Sequence, residues 1–485
     1  MIMKTRNLKP ALTAAACAVF LLSGCASNAL LTEEEAAVVG TAWHEAPLAG
    51  LAEGTPDVRL TWWSLWNDAE LVKLLERATA NSTDVRAALA NLKLAAVNAD
   101  QATADLFPTL GLKGNGSWTK REGEETDESW SAQGQASWSI SLLGGNVAER
   151  RAARYEALAS ILTLEDVKNA AAAEVASNYV GLKLAQVKRR TAQATLQNYA
   201  EACDIAQWRH TAGLVDQAEV DQAVSNRETA RASLALTEKS IAQYRNALAR
   251  LTVQNASDIV VADDGLMPEA PMALAVSVPA EILKQRPDLR AAQLAVAAAS
   301  ERVYKARTQW FPSLTLTGSL GTQAATIGTL GASGTGVGAL AAALAMPLLN
   351  WGEQVTATKS AEVALEKARN TYLATLLSAL EGTENALTAI KTAQTRQKPL
   401  AAALSAAESA ADLTMKSYRS GLVDYQNVLS TQRTLLVARE NAHSNEADLA
   451  TGLVTLYRAL GGAWKPTEQQ AQVLLRLDEG VVETN

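Results

Sequence analysis

Catalysis needs polar groups that converge, and the residues with that capacity are thinly spread along this chain. His44, His210 and His443 lie far apart with no cysteine or carboxylate partner at ligand spacing, so each reads as a solvent-exposed side chain. Gly334-Thr335-Gly336-Val337-Gly338 has the glycine content of a phosphate loop. It lacks the closing Lys-Ser/Thr and does not open a helix, which makes it a flexible hairpin loop. The six methionines do not cluster into a soft-metal site. No enzyme, cofactor or metal centre is therefore expected. What remains is a pair of matching turns, Gly213-Leu214-Val215-Asp216 and Gly421-Leu422-Val423-Asp424. The glycines suit the left-handed position that ends a helix, and Asp216 and Asp424 suit the N-cap of the next one. Glu219, three residues beyond Asp216, completes a capping-box pattern.

Those turns join the longest regular patterns in the chain. From Gly145 to about Thr211 there is no proline, and a helix of that extent would be roughly 100 Å long at ~1.5 Å per residue. Apolar residues recur at coiled-coil spacing, as with Leu196, Tyr199, Cys203 and Ala206, and with Ile241, Tyr244, Leu248 and Leu251 on the returning helix. A second pair runs from Trp351 to about Ser420 and from Asp424 to about Leu460, with Leu435, Ala442, Leu449 and Leu456 as its heptad stripe. Pro399 should kink the first member of that pair.

The pairing extends to a duplication. Asp84 to Gly114 is repeated 204 positions later as Asp288 to Gly318, with eleven of 31 positions identical, among them Phe107-Pro108 and Phe311-Pro312. In each copy an alanine-rich helix stops at Phe-Pro and an alternating strand begins. The first hairpin covers about 109–142: a strand to Trp118, a charged loop from Lys120 to Ser129, and a return strand from Gln135 to Leu142. The return strand sets Ala136, Trp138, Ile140 and Leu142 against Gln135, Ser137, Ser139 and Ser141, the two faces of a membrane barrel strand. Trp118, Trp130 and Trp138 would then be interfacial aromatics. The second hairpin covers about 313–348, with strands Ser313 to Gly321 and about Val337 to Leu348. Two separate hairpins present four edges, which lipid tolerates only if they close. The divisions are thus residues 1–24, 25–61, a first repeat at 62–267 with its long helix pair at about 145–255, a second repeat at 268–460 with its pair at about 351–460, and a tail at 461–485.

Composition agrees with thin helical packing. Apolar residues make up 48% of the 485, but aromatics only 5%, so alanine supplies much of the apolar count. A net charge of -7 argues against nucleic acid. Lys4, Arg6 and Lys9 precede an apolar run, Ala11 to Leu22, as in a signal peptide. Leu22-Ser23-Gly24-Cys25 resembles the lipobox of bacterial lipoproteins, which implies lipidation of Cys25 and a lipid-anchored tether over 25–61. Ala26 and Ser27 point to the outer membrane, since an aspartate that would retain the protein at the inner membrane is missing there. With Cys17 in the leader and Cys25 lipidated, Cys203 has no partner for a disulfide within one mature chain.

Taken together, the lipobox, the duplicated helix-Phe-Pro-strand units and the Gly-Leu-Val-Asp turns resemble the TolC-like outer membrane factors, in their lipoprotein branch. The most specific segments are Val278-Pro279-Ala280-Glu281-Ile282-Leu283-Lys284-Gln285-Arg286-Pro287-Asp288-Leu289, Trp310-Phe311-Pro312-Ser313-Leu314 and Tyr418-Arg419-Ser420-Gly421-Leu422. The resemblance implies a mainly α chain with a membrane β-barrel. In a homotrimer each copy would give two hairpins to one twelve-stranded barrel, and its long antiparallel coiled-coil helices to a periplasmic α-barrel. It also implies an exit duct in the outer membrane, working with an inner-membrane transporter through a periplasmic adaptor in efflux or type I secretion. The adaptor would meet the tips at Gly213, Leu214, Val215, Gly421, Leu422 and Val423. Rings of Asp216, Asp221 or Asp424 would narrow the entrance and favour cations. The competing expectation is a lipid-anchored helical envelope scaffold that conducts nothing.

Overall fold

A computed structural model of the chain describes residues 66–120, 122–123, 126–268, 286–347 and 351–462, the side chain of Trp351 excepted. The leader, Cys25, the tether, His44, Val278–Gln285 and the tail beyond Gly462 lie outside them, as do Arg121, Glu124 and Glu125 of the charged loop. The described residues form helices α1 (Ala69–Asn81) and α2 (Thr83–Ala104), strands β1 (Thr109–Thr119) and β2 (Asp127–Ser141), then helices α3 (Gly145–Thr211) and α4 (Gln217–Thr252). Beyond the linker come α5 (Pro287–Thr308), β3 (Ser313–Ala324), β4 (Gly336–Ala345), α6 (Trp351–Arg419) and α7 (Tyr425–Ala459). Among the described residues the fold is mainly helical, with one sheet.

Local chemistry sets the helix limits. Asp68 accepts from the backbone N–H groups of Glu70 and Leu71 to start α1, and Ser82 accepts from Val85 to start α2. Proline at the first position of α5 loses no helical hydrogen bond. α3 has 67 residues and α6 has 69, each roughly 100 Å long at ~1.5 Å per residue. α6 runs through Pro399 as one element.

The main core gathers α1, the middle of α3, the ends of α4 and α7, and Ala386 to Ile390 of α6 around Tyr179 and Tyr457. Small residues let these helices approach: a side chain at Gly181 would collide with the Tyr244 ring at 2.5 Å. The leaving linker is strapped across α3. Ile259 and Val261 are buried in the core, and Lys183 donates to the Ala262 carbonyl at 2.9 Å and to Asp264 at 3.2 Å. Arg189 and Arg190 hold Asp263. Leu435 and Leu456 of the expected heptad stripe are buried, whereas Ala442 and Leu449 are only half-buried. Along that stretch Asn445, Ala447, Ala450 and Leu453 turn inward instead, because a straight helix drifts about 20° per heptad against a strict seven-residue repeat.

The sheet differs from the expectation in three ways. The hairpins are not separate: β2 pairs with β3 from Trp130↔Ala324 to Ser141↔Ser313, giving one antiparallel sheet in the order β1-β2-β3-β4 with two edges rather than four. The return strand starts at Asp127, not Gln135, so Asp127 to Ser129 belong to it, paired with Thr119 to Ser117. Leu142 falls in the turn before α3. Polar Gln, Ser and Glu residues hide a strand from hydropathy, but they pair as well as apolar ones where one face meets water. In the second hairpin the strands run from Ser313 to Ala324 and from Gly336 to Ala345, and Leu348 lies outside the described residues.

Candidate functional site

Two places carry the features expected of function: the paired helix ends at 213–216 and 421–424, and the sheet.

At the helix ends the two turns are near copies. Gly213 and Gly421 have φ of 73° and 72°, the left-handed region that favours glycine. Gly213 N–H donates to the His210 carbonyl and Leu214 N–H to Arg209, and Gly421 and Leu422 repeat this with Tyr418 and Ser417. The next helices begin on their aspartates: Asp216 accepts from Glu219 N–H at 3.1 Å, and Asp424 accepts from Asn427 N–H at 3.1 Å and its Nδ2 at 2.8 Å. Asp221 accepts from Gln217 Nε2 at 2.9 Å. All three carboxylates are exposed, as are Leu214 and Leu422. Val215 and Val423 are half-buried.

The capping box is incomplete in a telling way. The Glu219 carboxylate is turned across to the other helix pair, where its Oε1 accepts from the Tyr418 hydroxyl at 3.2 Å, while Arg209 of its own pair lies 3.7 Å away. Arg209 sits over the Tyr418 ring, 5.2 Å from its centroid. Burial, and then the Glu219 carboxylate, push the Tyr418 phenol up to about 12. Asn226 donates to the Tyr425 hydroxyl at 3.0 Å, Arg419 pairs with Glu201 at 2.5 Å, and Asn198 donates to buried Gln432 at 3.1 Å. Between these links lies a small core of Ala202, Cys203, Ala206, Met415, Tyr418 and Tyr425. Cys203 is buried and its thiol is raised by that burial, which makes it inert. A cleft of about 560 Å³ opens beside it, walled by Glu201, Asp204, Trp208, Leu214, Tyr418 and Arg419. The sequence reading found the capping aspartates and missed these cross-links. Tyr418, three residues before Gly421, stands where the first copy has His210, three residues before Gly213, and that asymmetry is the local mark of the cross-link.

The histidines also divide. His210 is exposed and contacts the Val215 carbonyl at 3.0 Å. His443 departs from expectation: it is half-buried and lies 3.2 Å from Glu446, because a spacing of three brings both to one face of α7.

In the sheet, register sorts side chains onto two faces. One face carries the rows Leu110-Ala136-Gly318-Leu340, Leu112-Gly134-Leu320-Gly338 and Ile140-Leu314-Leu344, with Trp118, Trp130 and Trp138. The other carries Thr109-Ser137-Thr317-Ala341, Gly111-Gln135-Ser319-Ala339 and Lys113-Gln133-Gly321-Val337. Leu110, Leu112 and Leu340 are 85%, 94% and 88% exposed, so a broad apolar surface stands uncovered. Trp118 and Trp130 meet edge to face at 5.1 Å near one end of the strands. Trp138 at the other end donates its indole N–H to the Leu106 carbonyl at 2.9 Å.

Comparison with known proteins bears on the chain as a whole. The sequence model of the family described as outer membrane efflux protein matches residues 74–253 and 278–462. The pyoverdine export outer membrane protein OpmQ of Pseudomonas aeruginosa is 30% identical over 441 residues, covering 87% of this chain and 91% of its own length. The toluene efflux pump outer membrane protein TtgC of Pseudomonas putida is 25% identical over 471 residues, covering 93% and 95%. Among solved structures, the outer-membrane channel OprN superposes with a TM-score of 0.79 at 24% identity, covering 88% of this chain and 98% of that one, a likeness of fold.

Proposed function

The chain belongs to the outer membrane efflux protein family and is the outer-membrane channel of an efflux system; from that premise we propose that three copies close their sheets into one twelve-stranded barrel above a tunnel of helices. The observation that carries this reading is the sheet. An apolar face of this extent, with unpaired β1 and β4 at its edges, has no stable place in water or in lipid as an open sheet. Pairing β4 of one copy with β1 of the next removes every edge at once. The apolar face then meets lipid and the polar face lines water. β1 and β4 have 11 and 10 residues, matched in length for such a seam.

The helices then reach roughly 100 Å away from the barrel into the periplasm. Their ends at 213–216 and 421–424 form the entrance, where Asp216, Asp221 and Asp424 would recur around one axis. The exposed Leu214 and Leu422 suit contact with the hairpin of a periplasmic adaptor. The adaptor would connect the duct to an inner-membrane transporter, which supplies the energy, so conduction through this protein is passive. Cys25 is the acylated mature N-terminus; peptide mass spectrometry should find it diacylated and N-acylated, and an unmodified Cys25 would contradict the anchor.

Two measurements test the assembly. Native mass spectrometry of the detergent-solubilised protein should give three chains per particle. Gly123→Cys, at the turn between β1 and β2 beside Glu122 and Asp127, should react with an impermeant maleimide on intact cells. A stable monomer, or labelling only after lysis, would overturn the arrangement.

A further inference from the structure

We infer that Lys113 forms a ring of three ammonium groups inside the barrel and biases its outer segment toward anionic solutes. The inference rests on the reading of the polar face as the lumen wall. On that face the described strand positions include two charges, Lys113 and, at the far rim, Asp127. The belt of Lys113 runs through Gln133, Gly321 and Val337, and the belts on either side are Asn115-Ser131-Gln323 and Gly111-Gln135-Ser319-Ala339. None offers a carboxylate. Lys113 is exposed and no described residue pairs with it. A lysine on the opposite face would stand among Leu110, Leu112 and Leu320 in hydrocarbon, so the polarity of its row assigns it to water.

Geometry makes one lysine per copy sufficient. Twelve strands about 4.8 Å apart and tilted by about 40° enclose a barrel of roughly 12 Å radius. The four-carbon stem carries the ammonium group well inward, and the screening length at physiological salt is about 8 Å. Hence no path along the lumen escapes the field of the ring. Gly321 keeps the belt open on the β3 side: a side chain there would strike the Ala132 carbonyl at 2.2 Å, so glycine is required where β2 and β3 approach. Asp127 pairs with Thr119, six residues along β1 from Lys113 and so about 20 Å away, beyond two screening lengths. The charge sign here is opposite to that of the aspartates at the helix ends, so the two ends of the duct would select independently.

The test places a reporter beside the ring. In a Cys203→Ala background, Gln133→Cys puts a thiol directly across from Lys113 on the same face. Rates of modification by a small anionic sulfonate and a small cationic trimethylammonium methanethiosulfonate are measured on purified trimers in liposomes. The ratio of anionic to cationic rate should fall at least fivefold in Lys113→Glu, fall less in Lys113→Gln, and converge among the three at 1 M salt. A Gln133→Cys thiol that reacts with neither reagent would sink the lumen reading and the ring with it. A thiol that reacts with both at a ratio indifferent to the charge at 113 would overturn the ring and leave the duct intact.

Discussion

In the proposed assembly the aspartates at the helix ends would have two duties, capping and charge selection, that substitution can separate. Asp216 and Asp424 each accept a backbone hydrogen bond that starts a helix, worth about 1 kcal/mol relative to alanine. Asparagine keeps that bond and removes the charge. Asp216→Asn with Asp424→Asn should therefore leave the melting temperature nearly unchanged while reducing cation selectivity in single-channel recordings. Unaltered selectivity would confine these residues to capping. Tyr418 has a different signature. Its phenol is held protonated in the folded state, so its contribution to stability is complete below its ordinary value near 10 and is lost as pH rises toward about 12. Thermal melts between pH 9 and 11.5 should fall more steeply for the native protein than for Tyr418→Phe; parallel curves would remove Tyr418 from the account. The capping roles were legible in the sequence because they depend on neighbours three residues away. The Glu219–Tyr418 bond was not, because its partners are 199 positions apart and nothing local distinguishes a carboxylate that folds back from one that reaches across.

At the scale of elements, helix and strand differ in how much they disclose. The proline-free run from Gly145 to Thr211 is a single helix with those limits, and Phe107-Pro108 and Phe311-Pro312 mark the passage from α2 to β1 and from α5 to β3. Helical hydrogen bonds are local, so periodicity and punctuation suffice. The start of β2 at Asp127 depends instead on β1 across the charged loop, and the pairing of β2 with β3 on residues from the other half of the chain. Asp127 to Ser129 become strand on β1 alone, whereas the serine- and glutamine-rich positions from Trp130 to Ser137 have partners in β1 and β3 on both sides. The two faces of the sheet give opposite predictions for one substitution. Leu112→Arg, on the apolar face, should cost about 2–4 kcal/mol in folding into phospholipid vesicles, and Asn115→Arg, on the polar face, should cost less than about 1 kcal/mol. Equal costs would mean that the faces do not divide lipid from water.

For the whole molecule, the parts constrain one another. A sheet with a bare apolar face and two open edges calls for closure. The long helices call for neighbours along their length, and exposed Leu94, Val97, Leu236 and Val363 are the surfaces left for them. The cross-links from Glu219 to Tyr418 and from Glu201 to Arg419 hold one helix pair against the other at the end farthest from the sheet. In a closed assembly those links would keep the entrance narrow. The central claim is that the closed assembly encloses a continuous aqueous path, against the alternative of a lipid-anchored scaffold with no path at all. Planar-bilayer recording of the purified protein in 1 M KCl decides between them most directly. Discrete, long-lived current steps are expected from the native protein, and larger steps from Tyr418→Phe combined with Arg419→Ala. Correctly inserted trimers of both proteins that leave the bilayer silent would contradict the central claim.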